Sequence, residues 1–260
     1  MTVPTLTLTP LGGIDDGAPL VLGPSLGTSS ILWERTVAAL GQEHRLLAWD
    51  LPGHGASPRT EDPFTVADLA DAVARAVRDA GCTRIRYAGV SLGGATGLEL
   101  LLRHPDLVDS AAIVASGAQL GDPQAWHERA AQVRAQSTSS LISGSAQRWF
   151  APGSIEREPD LSGRLLHALQ EADDESYARC CEALAGFDVR DRLSDIERPV
   201  VAVWGEHDAV APAAKAEEIA TGVHHGSAAM IADAAHLPPA EQPEATARVL
   251  LDHFARGGAA

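Results

Sequence analysis

Short apolar runs alternating with helix-length stretches constrain this chain more than any other feature of its sequence. The runs are PLVLG (19–23), RLLAWD (45–50), RIRYAGV (84–90), SAAIVASG (110–117), PVVAVWG (199–205) and SAAMIADA (227–234). Helical patterns fall between them, near 31–40, at TVADLADAVARAVRDAG (65–81), from Ser91 to about His104, and at AAKAEEIA (213–220). In the second of these, Val66, Leu69, Val73, Ala76, Val77 and Ala80 recur at helical spacing. Thr65 with Asp68 is placed for a capping box and Gly81 for a stop. Strands alternating with helices predict an α/β fold, a mostly parallel central sheet flanked by helices on both faces. At the start, TLTLT (5–9), the turn GGIDDG (12–17) and PLVLG predict an antiparallel hairpin.

The alternation lapses between about 119 and 190. Four helical stretches fill that region, near 122–136, 137–150, 161–169 and 174–185, with no strand candidate among them. A helical insertion after a mid-sheet strand would cover the carboxyl ends of the strands, where open α/β sheets bind ligands. The expected organisation is therefore a core domain of residues 1–118 and 191–260 and a helical lid of residues 119–190.

Composition removes several functions. A formal net charge of −15 argues against nucleic acid and anionic membrane surfaces as partners, because both would repel the chain. Its 45% hydrophobic content is enough for a sizeable core, yet no run approaches a membrane span. The cysteines, Cys82, Cys180 and Cys181, are odd in number with two adjacent, which is no disulfide framework, and partial burial is expected for the adjacent pair. MTVPTLTLTP lacks a basic region followed by an apolar one, so a cytoplasmic location is expected.

The chemistry centres on Gly89-Val90-Ser91-Leu92-Gly93, a G-x-S-x-G with a strand before it and a helix after it. Glycines on both sides allow a tight strand-to-helix turn that projects the serine oxygen above the sheet. The helix N-terminus then aims N–H groups at an oxyanion; the competing reading is a serine that merely caps the helix. A serine nucleophile needs a base and an acid to orient it. His236 follows the last strand candidate, and Asp208 follows PVVAVWGEH, giving the chain order serine, acid, histidine. Asp233 lies too near His236 along the chain, and Asp122, after the preceding strand, is the rival acid. Of the other histidines, His44 and His253 sit in helical contexts, His104 ends a helix, and His224 and His225 mark a surface turn. His54 belongs to a loop that holds backbone near the site. The oxyanion donors expected are the N–H of Leu92 and that of Leu26, from the loop after the PLVLG strand, where Ser25 is a further candidate contact to substrate. There is no C-x-x-C, no H-E-x-x-H, no P-loop and no dinucleotide fingerprint, so neither metal nor cofactor is expected.

These residues, with the DLPGHG loop at 50–55, are similar to the α/β-hydrolase superfamily over nearly the whole chain. A narrower likeness is to the 3-oxoadipate enol-lactonases. It rests on PSLGTSSILWE (24–34), QRWF (147–150), ESYARCCEALAGFDVRDRL (175–193) and AAHLPPAEQPE (234–244). The resemblance implies an α/β-hydrolase fold with a lid, and a Ser91–His236–Asp208 triad that opens 3-oxoadipate enol-lactone to 3-oxoadipate through an acyl-enzyme, without a cofactor, in aromatic catabolism. That substrate bears a carboxylate, for which Arg129, Arg134 and Arg148 are candidate partners, with Trp126 and Trp149 as apolar walls. The alternative for each is an ordinary lid-surface arginine or core tryptophan. In some relatives the domain is fused to a 4-carboxymuconolactone decarboxylase, which the resemblance makes a candidate fused or associated partner. A general carboxylesterase or perhydrolase-like enzyme, and a non-catalytic ligand receptor on the same fold, are the competing functions.

Overall fold

The computed structural model describes residues 2–257. In it the apolar runs pair edge to edge as one seven-stranded sheet of order β1-β3-β2-β4-β5-β6-β7. The strands are β1 (Leu8–Gly13), β2 (Ala18–Gly23), β3 (His44–Trp49), β4 (Ile85–Val90), β5 (Val108–Val114), β6 (Val200–Gly205) and β7 (Gly226–Ile231). Every pairing from β3 to β7 is parallel, and only β1 runs antiparallel.

The expected hairpin does not form. β1 skips β2 and pairs with β3, Leu8 opposite Trp49 and Gly13 opposite Arg45. Burial explains the choice: Leu20, Val21 and Leu22 of β2 have no accessible surface and need a neighbour on each side. β1 carries half-exposed and exposed residues and suits the edge. His44 opens β3 rather than lying in a helix, and burial, with the charge of Arg86, lowers its pKa.

The helices follow the hydrophobic periods. Residues 31–40 form a 3₁₀ segment (Ser30–Thr36) running into a single α turn, α1 (Val37–Leu40). α2 (Val66–Asp79) starts on the expected capping box: Thr65 Oγ1 accepts from Asp68 N–H at 3.1 Å, and Asp68 Oδ2 accepts from Thr65 N–H at 2.8 Å. α3 (Leu92–Arg103) is buried from Leu92 to Leu101, packed on the sheet, and Gly97 lets the Tyr87 ring approach it. The helical insertion between β5 and β6, the segment expected as a lid, comprises α4 (Pro123–Gln136), α5 (Ile142–Trp149), α6 (Ser154–Arg157), α7 (Pro159–Glu171) and α8 (Asp174–Ala185), with a bridge between Gln119 and Asp188 at its base. α9 (Ala213–Gly222), α10 (Pro238–Glu241) and α11 (Pro243–Gly257) complete the chain. Cys180 and Cys181 are fully rather than partly buried in α8, and burial pushes their thiols up, that of Cys181 to about 12. No helix among the described residues is long and apolar enough to cross a membrane.

Burial also holds His54 and His253 neutral, with pKa values lowered to about 4. The unfolded chain protonates its histidines near 6.5, so between about pH 6.5 and 4 it binds more protons than the folded chain, and stability is lost as the pH drops through that window. Buried Asp50, Glu99 and Glu241, whose pKa values burial raises, act in the opposite sense. Urea unfolding of His253→Leu is expected to show a shallower loss of stability between pH 7 and 5 than the wild type. An unchanged slope would remove His253 from this account.

Candidate active site

Ser91 sits at the end of β4 with φ 55° and ψ −114°, a left-handed conformation that costs a non-glycine residue about 1–3 kcal/mol. Its surroundings impose it. Ser91 N–H donates to Val114 O at 2.9 Å, and Ser116 Oγ donates to Ser91 O at 2.7 Å. The flanking glycines are required by space. A Cβ on Gly89 would strike the Gly93 carbonyl, and one on Gly93 would lie 2.6 Å from Pro24 O. Ser91 makes no capping bond to α3, which removes the reading of a serine that serves the helix. Its hydroxyl is left for other work.

Asp208 lies in the turn after β6. Its Oδ1 accepts from Val210 N–H at 2.8 Å and Ala211 N–H at 3.1 Å, and its Oδ2 lies 3.0 Å from His236 Nδ1. Burial raises this carboxyl's pKa, but the His236 ring and the two backbone N–H groups outweigh it, and the net shift is downward. A charged Asp208 makes Nδ1 the protonated nitrogen and leaves the Nε2 lone pair free to take a proton. Both side chains are almost wholly buried. Asp122, the rival acid, is committed to the N-terminus of α4, where its side chain accepts from Gln124 N–H.

Ser91, Asp208 and His236 thus share one edge of the sheet, after β4, β6 and β7. Gly205 makes the approach of the last two possible: a Cβ there would strike the Ala235 carbonyl and lie 2.6 Å from that of Ala234. Glu241, which belongs to no recognised motif, braces the same loop. Its carboxylate accepts from Ala235 N–H (2.8 Å), Ala151 N–H (2.6 Å) and Ser154 Oγ (2.9 Å), tying the His236 loop to the lid. The only advance signal was an acid set among three prolines in LPPAEQPE.

The loop after β2 lies beside α3, with Gly93 N–H donating to Pro24 O at 3.0 Å. Ser25 is buried in a tight turn with Thr28, which presents Leu26 and Gly27. Among the described residues the Leu26 N–H has no acceptor, and that of Leu92, first in α3, precedes the helical bonding. These are the two donors expected of an oxyanion hole.

The lid sorts the remaining candidates. Trp149 O accepts from His236 N–H at 3.2 Å, and the Trp149 ring lies against Gly27. Trp126 is held by Leu120 O at 2.7 Å with the Arg129 guanidinium 5.2 Å over its ring. Arg134 does not serve the site: it is bound to Glu175 (2.7 Å) and Glu182 (2.6 Å) on the outer surface. Arg129 and Arg148 make neither an ion pair nor a hydrogen bond among the described residues. Burial, then the charge of Arg129, pulls the Arg148 pKa down. Both guanidinium charges bear on the buried Tyr177 of α8. In the same turns after β6 and β7, exposed Glu206, His207 and Asp233 bring ligand-type atoms within 4.8 Å of one another, a grouping their sequence spacing did not show.

Gly205→Ala tests the packing behind the Asp208–His236 bond. We expect a folded protein destabilised by about 1–3 kcal/mol. The downfield proton resonance of His236 Nδ1–H should be lost or shifted. An unperturbed resonance would show that the close approach at Gly205 does not set this bond.

Known proteins share this fold. A family model described as the alpha/beta hydrolase fold matches residues 18–243. The chain is 33% identical over 233 residues to 3-oxoadipate enol-lactonase 2 of Acinetobacter baylyi, covering 90% of this chain and 87% of that one. It is 29% identical over 234 residues to 3-oxoadipate enol-lactonase 1 of the same organism, with the same coverage of 90% and 87%. The crystal structure of the enol-lactonase from Burkholderia xenovorans LB400 superposes with a TM-score of 0.91 at 30% identity, over 96% of each chain. The chain belongs to the α/β-hydrolase superfamily, in the family of the 3-oxoadipate enol-lactonases.

Proposed function

We propose that this hydrolase opens 3-oxoadipate enol-lactone to 3-oxoadipate, with Ser91 as nucleophile, His236 as general base and acid, and Asp208 orienting the imidazole. One observation carries the substrate class: Arg129 and Arg148, both half-buried, stand without carboxylate partners among the described residues, whereas Arg134 pairs with Glu175 and Glu182, and Arg164 with Glu34 and Asp160. Two unneutralised, half-buried guanidinium groups in a chain of net charge −15 suit an anionic ligand. The likeness to enol-lactonases supports the same class.

Ser91 Oγ attacks the lactone carbonyl as His236 Nε2 takes its proton, and the N–H groups of Leu26 and Leu92 stabilise the oxyanion. The C–O bond to the ring oxygen breaks, the enol oxygen takes the proton from His236, and the enol tautomerises to the ketone. Tautomerisation removes the leaving group as a competing nucleophile and makes ring opening effectively irreversible. Water, deprotonated by His236, then attacks the acyl-enzyme, and Ser91 leaves with the proton as the second carboxylate forms.

Two sets of variants test this against the enol-lactone, generated enzymatically and followed by loss of ultraviolet absorbance. Ser91→Ala should lower kcat by at least about 10⁴-fold with the fold intact. Arg129→Ala and Arg148→Ala should each raise KM about 10- to 100-fold with little change in kcat, as expected when a charged hydrogen bond to the substrate is lost. Fast turnover of aryl esters with none of the enol-lactone would favour a general carboxylesterase instead. Tight binding without turnover would favour a receptor.

A further inference from the structure

His54 lies outside the Ser91–His236–Asp208 constellation, yet it is buried, stacked and bonded through both ring nitrogens. Its Nδ1 is 2.8 Å from Pro52 O, and a carbonyl can only accept, so Nδ1 carries the proton. The Nε2 lone pair is then free, and it accepts the N–H of Gly27 at 3.2 Å. Gly27 follows the Leu26 donor directly and is itself left-handed, with φ 83°. Few side chains other than a neutral histidine could donate to one backbone group and accept from another across this span. Burial supplies the neutral form, with a pKa near 4.

We propose that His54 is a positioning residue that fixes the oxyanion loop through the Gly27 N–H, an inference that rests on the serine-hydrolase reading above. Other anchors bracket the loop. Gly93 N–H holds Pro24 O on one side, and Asp50 Oδ1 accepts Ser30 N–H at 2.7 Å on the other. Between them the Leu26–Gly27 peptide has one acceptor, His54. Without it a buried N–H is left unsatisfied, and the peptide turns to find a partner. The Leu26 N–H then loses its aim at the developing oxyanion. The His54 ring is itself seated on the lid, stacked 5.9 Å from Tyr177 at 24°, and Asp173 N–H, just before α8, binds Gly53 O at 2.9 Å. The aim of the donor is thereby set by three segments: the loop after β2, the loop after β3 and the lid.

Two variants separate the hydrogen bond from the packing. His54→Phe keeps the ring and its stack on Tyr177 but has no acceptor. His54→Gln loses the ring but places Oε1 near the Nε2 position. With p-nitrophenyl acetate as the probe, His54→Phe should lower kcat and kcat/KM together by about 10²-fold, the signature of an interaction made in the transition state. His54→Gln should recover about tenfold of that loss, even if it melts at a lower temperature. Binding of phenylboronic acid, whose tetrahedral adduct occupies the same hole, should weaken in step with kcat. The wild type gives a reading that needs no variant: nitrogen NMR should show His54 as the neutral Nδ1–H tautomer. The opposite tautomer would overturn the proposal. So would His54→Phe and His54→Gln with equal activity, or both within about twofold of the wild type while Ser91→Ala is inactive. Wild-type turnover by Ser91→Ala would instead overturn the serine-hydrolase reading, and this inference with it.

Discussion

Everything at this site depends on one residue being held where its backbone does not want to be. Ser91 is left-handed because β5 takes its N–H, Ser116 takes its carbonyl, and the glycines on either side have no side chain to obstruct the turn. Fixing the turn starts α3 beneath it, and Gly93 at the start of α3 reaches the carbonyl of Pro24. Tyr87 closes the back of the arrangement, its hydroxyl donating to Gly93 O at 2.6 Å from a position with no solvent access. The serine, the helix and the loop after β2 therefore form one block, anchored in the most buried part of the sheet.

Much of that block was legible in the sequence, because strand-to-helix turns leave compositional traces. Gly89 and Gly93 are spaced for the turn, the apolar runs mark the strands, and the order Ser91, Asp208, His236 places the site at one edge. Elements that depend on partners distant in sequence were not legible. The alternation in TLTLT is the same whether it pairs with β2 or β3, and the choice went to the burial of Leu20–Leu22. His44 looked helical because the hydrophobic period around it does not distinguish the end of a helix from the start of a strand. Arg129, Arg134 and Arg148 were equivalent as letters. Only the placement of Glu175 and Glu182 on α8 neutralises one of them.

His54 and Glu241 show what backbone acceptors contribute. Neither pairs with a charged side chain among the described residues; each takes up backbone N–H groups that would otherwise be buried unsatisfied. Such residues leave no motif of their own, since what they bind is present at every position of the chain. Their effect is to convert loops, the most mobile parts of a fold, into extensions of the sheet.

Glu241 has a mechanical consequence. One carboxylate grips Ala151 and Ser154 in the lid and Ala235 beside the base, while Trp149 of the lid holds the backbone of His236. A displacement of the segment from Trp149 to Ser154 cannot leave the imidazole undisturbed. The insertion and the loop that carries His236 are thus one mechanical unit, in which a load on either is passed to the other through a single carboxylate.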